Sequence, residues 1–534
     1  MKREGNGEKL QKLEEICSQM DPGIRTQLRE RITSSIQEAL ISESVQTHKG
    51  PPAVYQVIPK KETIGTLSKV TIGEKDEMKI NKTILLVGET GTGKSTLINT
   101  LFNYAVGVKF EDKFWFQIVE EEKEEGTHQS QSQTSDVIVY QIFGFEGQIL
   151  PFSLTIINTP GFGSTRGIEE DDIVSQRLFD LFRSEDGVHQ INAVGLVVKA
   201  SDYRLSDRLR YIFDSVMSLF GKDLKRNIVA LITHSDGRRP ENVLQALEDA
   251  KIKCSKDEMN QPVHFLFNNQ QKQQGNTSEK DKVGSKYSWD FTNEEMCHLR
   301  DFMKNTKPQL LETTVEVLNE RIRLKACIQN LKERIELNEQ KQEDEMERDI
   351  NFSMEVDEVY KEKEPIRGGK WGLVFLEGAV TCSVCEENCH YPGCTMAQKP
   401  AHCEVIKNGH CTVCTNKCPA SVHVKENWSY VTKTRKVQKT LEAVKEKYDQ
   451  NKAECENKST LLENLEKETN NLTVERSELL DEAYSHVIRL EQIALKVDSV
   501  STLVHLDFLI EKMKEKGDQE KVKKLEKMKI RIEK

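Results

Sequence analysis

Thr83-Ile84-Leu85-Leu86-Val87-Gly88-Glu89-Thr90-Gly91-Thr92-Gly93-Lys94-Ser95-Thr96-Leu97-Ile98-Asn99 is the stretch that decides the fold. Its apolar start predicts a buried strand, the next eight residues read G-x-x-x-x-G-K-S, and a helical pattern follows. In that strand-loop-helix context the glycines let backbone N–H groups wrap a phosphate chain at a helix N-terminus. Gly88, Glu89, Thr90, Gly91, Thr92, Gly93, Lys94, Ser95 and Thr96 are therefore candidate phosphate-binding residues. Lys94 is expected to reach the β- and γ-phosphates, and the Ser95 hydroxyl to bind Mg2+. A chance Gly-rich turn would not satisfy strand, loop and helix together.

Further β-rich runs are Asp136–Phe143, Leu154–Asn158, Ala193–Val198, Ile228–Thr233 and Val263–Phe267, with helical candidates after most of them. That alternation predicts an α/β domain with a doubly wound, mostly parallel sheet over residues 78–305. Thr233-His234-Ser235-Asp236 closes an apolar run and looks like the T/N-K-x-D base-recognition element of GTPases. Guanine offers N1–H and its 2-amino group side by side, which a two-oxygen carboxylate matches and adenine does not. Asp236 is thus the candidate guanine selector, with Thr233 and His234 beside it; the plain alternative is a turn-forming Asp.

Asn158-Thr159-Pro160-Gly161 resembles the D-x-x-G switch element, in which the Gly161 N–H would sense the γ-phosphate. Asn158 in place of Asp is expected to weaken Mg2+ binding without abolishing it. In the polar run Gly126–Ser135, Thr134 is the candidate hydroxyl for Mg2+ and γ-phosphate, in competition with Thr127, Ser130, Ser132 and Ser135. Phe162 stands where Ras-like proteins place a water-orienting Gln, which predicts slow hydrolysis or a group donated across a dimer. Arg166 and His128 are the local candidates for that group, against a reading as solvated loop residues.

With these elements in order, residues 80–305 resemble the immunity-associated nucleotide-binding (GIMAP) GTPases, kin to septins and to chloroplast import receptor GTPases. The resemblance rests on the G-E-T-G-T-G-K-S-T loop, Asn158–Gly161, Arg204-Leu205 before a helix ending in Leu219-Phe220-Gly221, Thr233–Asp236 and Phe267-Asn268-Asn269. It implies that Asn268 and Asn269 help to hold the guanine base, that GTP or GDP binds with Mg2+, and that the domain dimerises across its nucleotide face. Asn158 and His234 depart from the family's usual Asp and Lys or Arg. The cysteine-rich half resembles a module of uncharacterised animal proteins that carry such domains.

The chain has 534 residues, more than one ordinary core accounts for. Only 37% are hydrophobic and 31% charged, with mean hydropathy −0.60, as for a globular domain joined to long solvated helices. A net charge of −10 argues against a general nucleic-acid footprint. No leader-like segment or bilayer-length apolar run is present, so a cytoplasmic protein with no transmembrane segment is expected. Residues 1–50 read as amphipathic helices broken at Asp21-Pro22-Gly23, and 51–77 as a linker.

Residues 308–363 and 431–485 read as coiled-coil helices, each about 80 Å long at about 1.5 Å per residue. Leu311, Val315, Leu318 and Ile322 step by heptad spacing, and Leu324, Ile328, Leu331 and Ile335 repeat it after a shift. Val437, Leu441, Val444, Tyr448, Cys455, Leu462, Leu465, Leu472 and Leu479 share one frame in the second stretch. An antiparallel hairpin with the cysteine-rich segment 368–430 at its tip is the reading; two separate helices folded over the α/β domain are the alternative. Residues 487–534 read as charged helices.

Eight of the 13 cysteines lie between Cys382 and Cys418. Cys382-x2-Cys385-x3-Cys389-x4-Cys394 is followed by Cys403 and by Cys411-x2-Cys414-x3-Cys418-x4-His423, the same spacing with His423 in the slot of Cys394. Exchange of Cys for His suits Zn2+, which accepts both, and not a disulfide. Cys382, Cys385, Cys389, Cys394, Cys403, Cys411, Cys414, Cys418 and His423 are the candidate ligands for about two structural zinc ions. His402 and His410 read as solvated neighbours, and C-x-x-C redox exchange is the competing idea. Lys407, Lys417, Lys425, Lys433, Arg435 and Lys436 with Trp428 and Tyr430 make a basic, aromatic flank.

The expectation is a GTP-binding switch, a slow or assembly-stimulated GTPase that pairs through its G domain and uses a zinc-tipped arm for a protein partner. A scaffold with a merely stabilising nucleotide, and an ATPase, are the competing readings.

Overall fold

The structure is a computed structural model that describes residues 21–64, 67–120, 136–145, 149–160, 168–202, 207–269, 279–348, 355–366, 378–394, 397, 399–438, 458–496 and 500–533. Its first half contains α1 (Pro22–Ser42), β1 (Ser44–His48), β2 (Ala53–Val57), β3 (Lys60–Ile64), β4 (Leu67–Ile72), β5 (Asn81–Gly88) and α2 (Lys94–Val106). There follow β6 (Phe114–Gln117), β7 (Ile138–Ile142), β8 (Ser153–Asn158), α3 (Ile168–Arg183), β9 (Gln190–Ile191), β10 (Ala193–Lys199), α4 (Asp207–Leu219), β11 (Ile228–Thr233), α5 (Glu241–Asp249), β12 (His264–Leu266) and α6 (Glu279–Asn305).

The main sheet has the order β12-β11-β10-β5-β8-β7-β4-β3. Strands β12, β11, β10, β5 and β8 run parallel, and β7 is antiparallel to β8. Helices cover both faces, so β5 reads as an unbroken apolar run: Leu85 and Val87 enter one core while Ile84 and Leu86 enter the other. Residues 51–77, expected as a linker, instead contain β2, β3 and β4. Val54, Val57, Leu67, Val70 and Ile72 are buried, but they alternate with mostly polar residues in short runs flanked by Pro51-Pro52 and the charged Lys60-Lys61-Glu62, which hid the strands.

The second half holds β13 (Gln309–Leu310), α7 (Glu312–Arg348), β14 (Glu355–Pro365), β15 (Gly378–Cys382), β16 (Glu387–Cys394), β17 (Ile406–Lys407) and β18 (His410–Cys411). It ends with β19 (His423–Glu426), β20 (Trp428–Gln438), α8 (Lys458–Ile493), α9 (Val500–Lys516) and α10 (Gln519–Glu533). Helices α7 and α8 pack antiparallel, as the pairs Glu316–Arg489, Glu320–His486 and Arg334–Glu475 require. The shift in the heptad frame of α7 marks a change of partner. Leu311, Val315, Leu318 and Ile322 pack on the α/β core, whereas Leu324, Ile328, Leu331 and Ile335 pack against Leu479, Ala483, Val487 and Leu490 of α8.

Two expectations fail here. Residues 355–363 and 431–438 are not helix: β14 and β20 form an antiparallel ribbon from Glu355↔Gln438 to Pro365↔Trp428. Cross-strand charge pairs favour it, Lys433 meeting Glu362 at 2.8 Å and also Glu364. Val437, expected to open the second heptad frame, is therefore a strand residue, and Leu441, Val444, Tyr448 and Cys455 of that frame lie outside the described residues. The cysteine module is also not at a tip. The ribbon runs back along α7, with Lys361 Nζ 3.4 Å from Glu333, and the module packs on Ile322 and Ala326.

Candidate functional site

The carboxyl ends of the parallel strands form one edge. Gly88 of β5 stands opposite Val197 of β10, Asn158 of β8 opposite Leu86, and Thr233 of β11 opposite Lys199. Chain order departs to both sides of β5, which opens the crevice where α/β sheets bind ligands. A Cβ at Gly88 would lie 2.4 Å from the Val197 carbonyl oxygen, so only glycine fits. Gly91 and Gly93 have φ of 81° and 88°, the left-handed region that turns their N–H groups through the loop.

Lys94 opens α2 and is buried; its Nζ donates to the carbonyls of Gly88 (2.8 Å) and Glu89 (3.0 Å). Burial pulls the ammonium down to about 8, against a small upward pull from Glu89. Ser95 is half-buried beside it, while Thr90 and Thr96 are exposed. Thr92 Oγ1 donates to Glu89 O at 2.9 Å. Thr233 Oγ1 donates to Thr92 O at 2.7 Å, a tie between the phosphate loop and the base-side strand that has no signal in the sequence.

His234 has φ of 55° and directs the chain into an exposed Asp236, whose Oδ1 accepts from the Arg238 N–H at 2.9 Å. Ser235 N–H donates to Phe267 O, and Asn268 Nδ2 donates to Ser235 O at 3.0 Å. The two loops are thereby locked together. Asn268 Oδ1 and both amide atoms of Asn269 are buried with no hydrogen bond among the described residues, next to the Asp236 loop. Buried amides in that condition mark a place for a ligand with its own donors and acceptors. Asn158 is fully buried at the end of β8, and Thr159 Oγ1 donates to Leu86 O at 2.9 Å. Thr134, Gly161, Phe162, Arg166, His128 and Arg204-Leu205 lie outside the described residues.

The cysteine module brings most of its expected ligands together, but not in chain order. Ligand atoms of Cys382, Cys385, Cys414 and Cys418 lie within 4.8 Å of one another, and so do those of Cys389, Cys411, Cys414 and His423. The two repeats therefore interleave, with Cys414 common to both groups. Backbone N–H groups of Cys385, Cys414 and Cys418 point at the sulfurs of Cys382, Cys411 and Cys414 at 3.2–3.4 Å. His423 Nδ1 is held by Pro419 O at 3.0 Å, and its Nε2 is buried with no hydrogen bond among the described residues. That leaves the second nitrogen for a metal, and a four-donor thiolate and imidazole set fits Zn2+.

Cys403 departs from expectation: it lies apart from both groups, with His390 Nδ1 3.2 Å from its sulfur and Glu404 alongside. The Cys394 side chain lies outside the described residues. The basic, aromatic flank is largely consumed by the ribbon, where Lys363 Nζ sits 4.4 Å from the Trp428 ring and Arg435 5.0 Å from Tyr360. A contact with no sequence signal joins the module to the α/β domain: Arg183, the last residue of α3, pairs with Glu404 and donates to His402 O at 2.7 Å.

The septin family model matches residues 78–174. The chain carries a septin-type P-loop GTPase domain. Human Septin-5 is 27% identical over 182 residues, which are 33% of this chain and 45% of that protein. GTP-binding protein A of Dictyostelium discoideum is 25% identical over 191 residues, 34% of this chain and 36% of that protein. The chain thus spans under half the length of these relatives. Among solved structures, Toc33 of Arabidopsis thaliana with Mg2+ and GMPPNP covers 43% of this chain and 88% of its own at 16% identity, with a TM-score of 0.29. Among the described residues, no helix is long and apolar enough to cross a membrane.

Proposed function

We propose that the septin-type domain binds GTP and GDP with Mg2+ and acts as a slow or assembly-stimulated GTPase switch of the GIMAP kind, pairing with a second copy across its nucleotide face. The observation that carries this reading is the set of buried amide atoms on Asn268 and Asn269 with no hydrogen bond among the described residues, on the loop tied to the Asp236 loop. Asp236 would accept from guanine N1–H and the 2-amino group, and the asparagine amides would meet the remaining base edge. Lys94 would neutralise the phosphates, and Ser95 would hold Mg2+, with Asn158 contributing a neutral oxygen in place of a carboxylate. In the chloroplast translocon components atToc33 and psToc159, dimerisation is important for GTPase activity. The pairing proposed for this domain is of that kind.

The cysteine module is proposed to hold about two structural zinc ions and to act with α7 and α8 as a protein-binding arm in the cytoplasm. Arg183 gives the nucleotide edge a physical route to that arm. It ends the helix that follows the Asn158–Gly161 element, and its guanidinium bonds to Glu404 and His402 of the module. The test is phosphate release and sedimentation with GTP, GDP and a non-hydrolysable analogue. Nucleotide-dependent assembly with GTP turnover supports the switch. Indifference of both to nucleotide leaves a scaffold with a stabilising ligand, and co-purified ADP makes the domain an ATPase.

A further inference from the structure

The seam between α7 and α8 is aliphatic along most of its length, with Ile328, Leu331, Leu479, Ala483, Val487 and Leu490 in one core. Polar groups interrupt it at the level of Cys327. Cys327 of α7 is fully buried, and Glu482 and His486, spaced i and i+4 on one face of α8, stand across from it. The Cys327 sulfur, a Glu482 oxygen and a His486 ring nitrogen all lie within 4.8 Å of one another.

The imidazole is already oriented. His486 Nδ1 is 2.6 Å from Glu320 Oε2, and the other Glu320 oxygen accepts from Arg323 at 3.0 Å. With Nδ1 donating to that carboxylate, Nε2 keeps its lone pair, and Nε2 is buried with no hydrogen bond among the described residues. A carboxylate behind a histidine whose far nitrogen is unsatisfied is the usual support of a metal site, where it fixes the tautomer and strengthens the ligand. The thiol is fully buried, and the imidazole and the carboxylate are partly buried beside it at the edge of an apolar seam, so the three donors converge where aliphatic packing would otherwise continue.

We propose that Cys327, Glu482 and His486 bind a zinc-type divalent cation that clasps α7 to α8, with Glu320 as the positioning residue. One sulfur, one nitrogen and one oxygen donor suit Zn2+ or Co2+ and disfavour Ca2+ and Mg2+, which take oxygen ligands. Three protein ligands leave the fourth tetrahedral position to water. On binding, the Cys327 S–H bond breaks, a sulfur–metal bond forms and the proton passes to solvent; no electron is transferred. Lys417 of the cysteine module donates to Glu482 at 2.8 Å, so the clasp shares a ligand with the module's own attachment to α8. The site is separate from the Cys382–His423 groups, with which it shares no residue.

The test uses the full chain, incubated with ZnCl2, desalted and analysed for zinc per chain, beside Cys327→Ala, His486→Gln and Cys411→Ser. Cys327→Ala and His486→Gln should each lose about one equivalent relative to the parent, with helical circular dichroism unchanged. Cys411→Ser should lose module zinc and keep the seam equivalent, which separates failure of this site from failure of the module. Glu320→Gln should retain the stoichiometry but bind the seam ion about 10- to 100-fold more weakly. Should Cys327→Ala or His486→Gln not fold, X-ray absorption on the parent loaded with Co2+ to full occupancy decides: a cobalt population with one sulfur and mixed nitrogen and oxygen neighbours is expected. Equal zinc content in folded parent and Cys327→Ala, or cobalt in sulfur-rich sites alone, overturns the proposal.

Discussion

The nucleotide edge and the cysteine module sit on the same chain but hold themselves in place by different means. At the edge the binding surface is backbone, set by glycine φ values, a helix start and carbonyls around Lys94, and two apolar cores on either face of β5 hold it. In the module the interior is itself the candidate ligand set: Cys382, Cys389, Cys411, Cys414 and Cys418 are buried with Cys403 and little more than Val380, Val405, Val413 and Ala397. A domain of the first kind folds before its ligand arrives, whereas one of the second kind needs its ligand to fold. Ligand removal should therefore separate the two halves.

The largest effect tests that separation directly. Chelation of zinc, or Cys411→Ser, should unfold the module, since structural zinc supplies about 10 kcal/mol in small metal-built units. Hydrogen exchange should show loss of protection over 378–438 with the main sheet still protected; loss of protection in both would break the comparison. Leu331→Ala removes a fully buried side chain from the α7–α8 seam and should cost about 3 kcal/mol by denaturant unfolding, with nucleotide binding unchanged. Asp236→Ala should weaken GDP binding roughly 100-fold, about 3 kcal/mol for two hydrogen bonds to a charged group, and a titration with labelled GDP reads it.

A smaller effect comes from pH. Burial brings Lys94 down to about 8, and bound phosphate would raise it again. Below pH 8 the loop meets phosphate with its charge in place; above it, binding must take up a proton. GDP affinity should therefore fall by up to about tenfold between about pH 8 and pH 9, and a flat profile contradicts a buried Lys94 at the phosphates. The smallest effect is at the surface: Arg489→Ala loses an exposed pair with Glu316 and should cost less than about 1 kcal/mol.

What the sequence made legible follows the same division. The Gly88–Ser95 loop was readable because its requirements are local: Gly at positive φ, a strand before, a helix after. Strands β2 to β4 were not, since they are short, follow Pro51-Pro52 and carry Lys60, Lys61, Glu62 and Lys69, so together they imitate a charged linker. In the ribbon, Val359, Val431 and Val437 carried a β-branched signal, but a heptad frame could be drawn through the same charged residues. The cysteine spacing named most of the residues that cluster and could not order them, because the interleaving of Cys382 with Cys418 and of Cys389 with Cys411 is a property of the folded chain. Arg183 with Glu404, and Cys327 with His486, join residues far apart in the chain and leave no local pattern.

The most direct measurement is native mass spectrometry of the purified full chain, repeated after addition of GTP and Mg2+. One guanine nucleotide per chain, lost in Asp236→Ala and retained in Cys411→Ser, is the predicted result. An adenine nucleotide in its place, or no bound nucleotide even with GTP and Mg2+ present, would contradict a guanine-reading site built from Lys94, Asp236, Asn268 and Asn269.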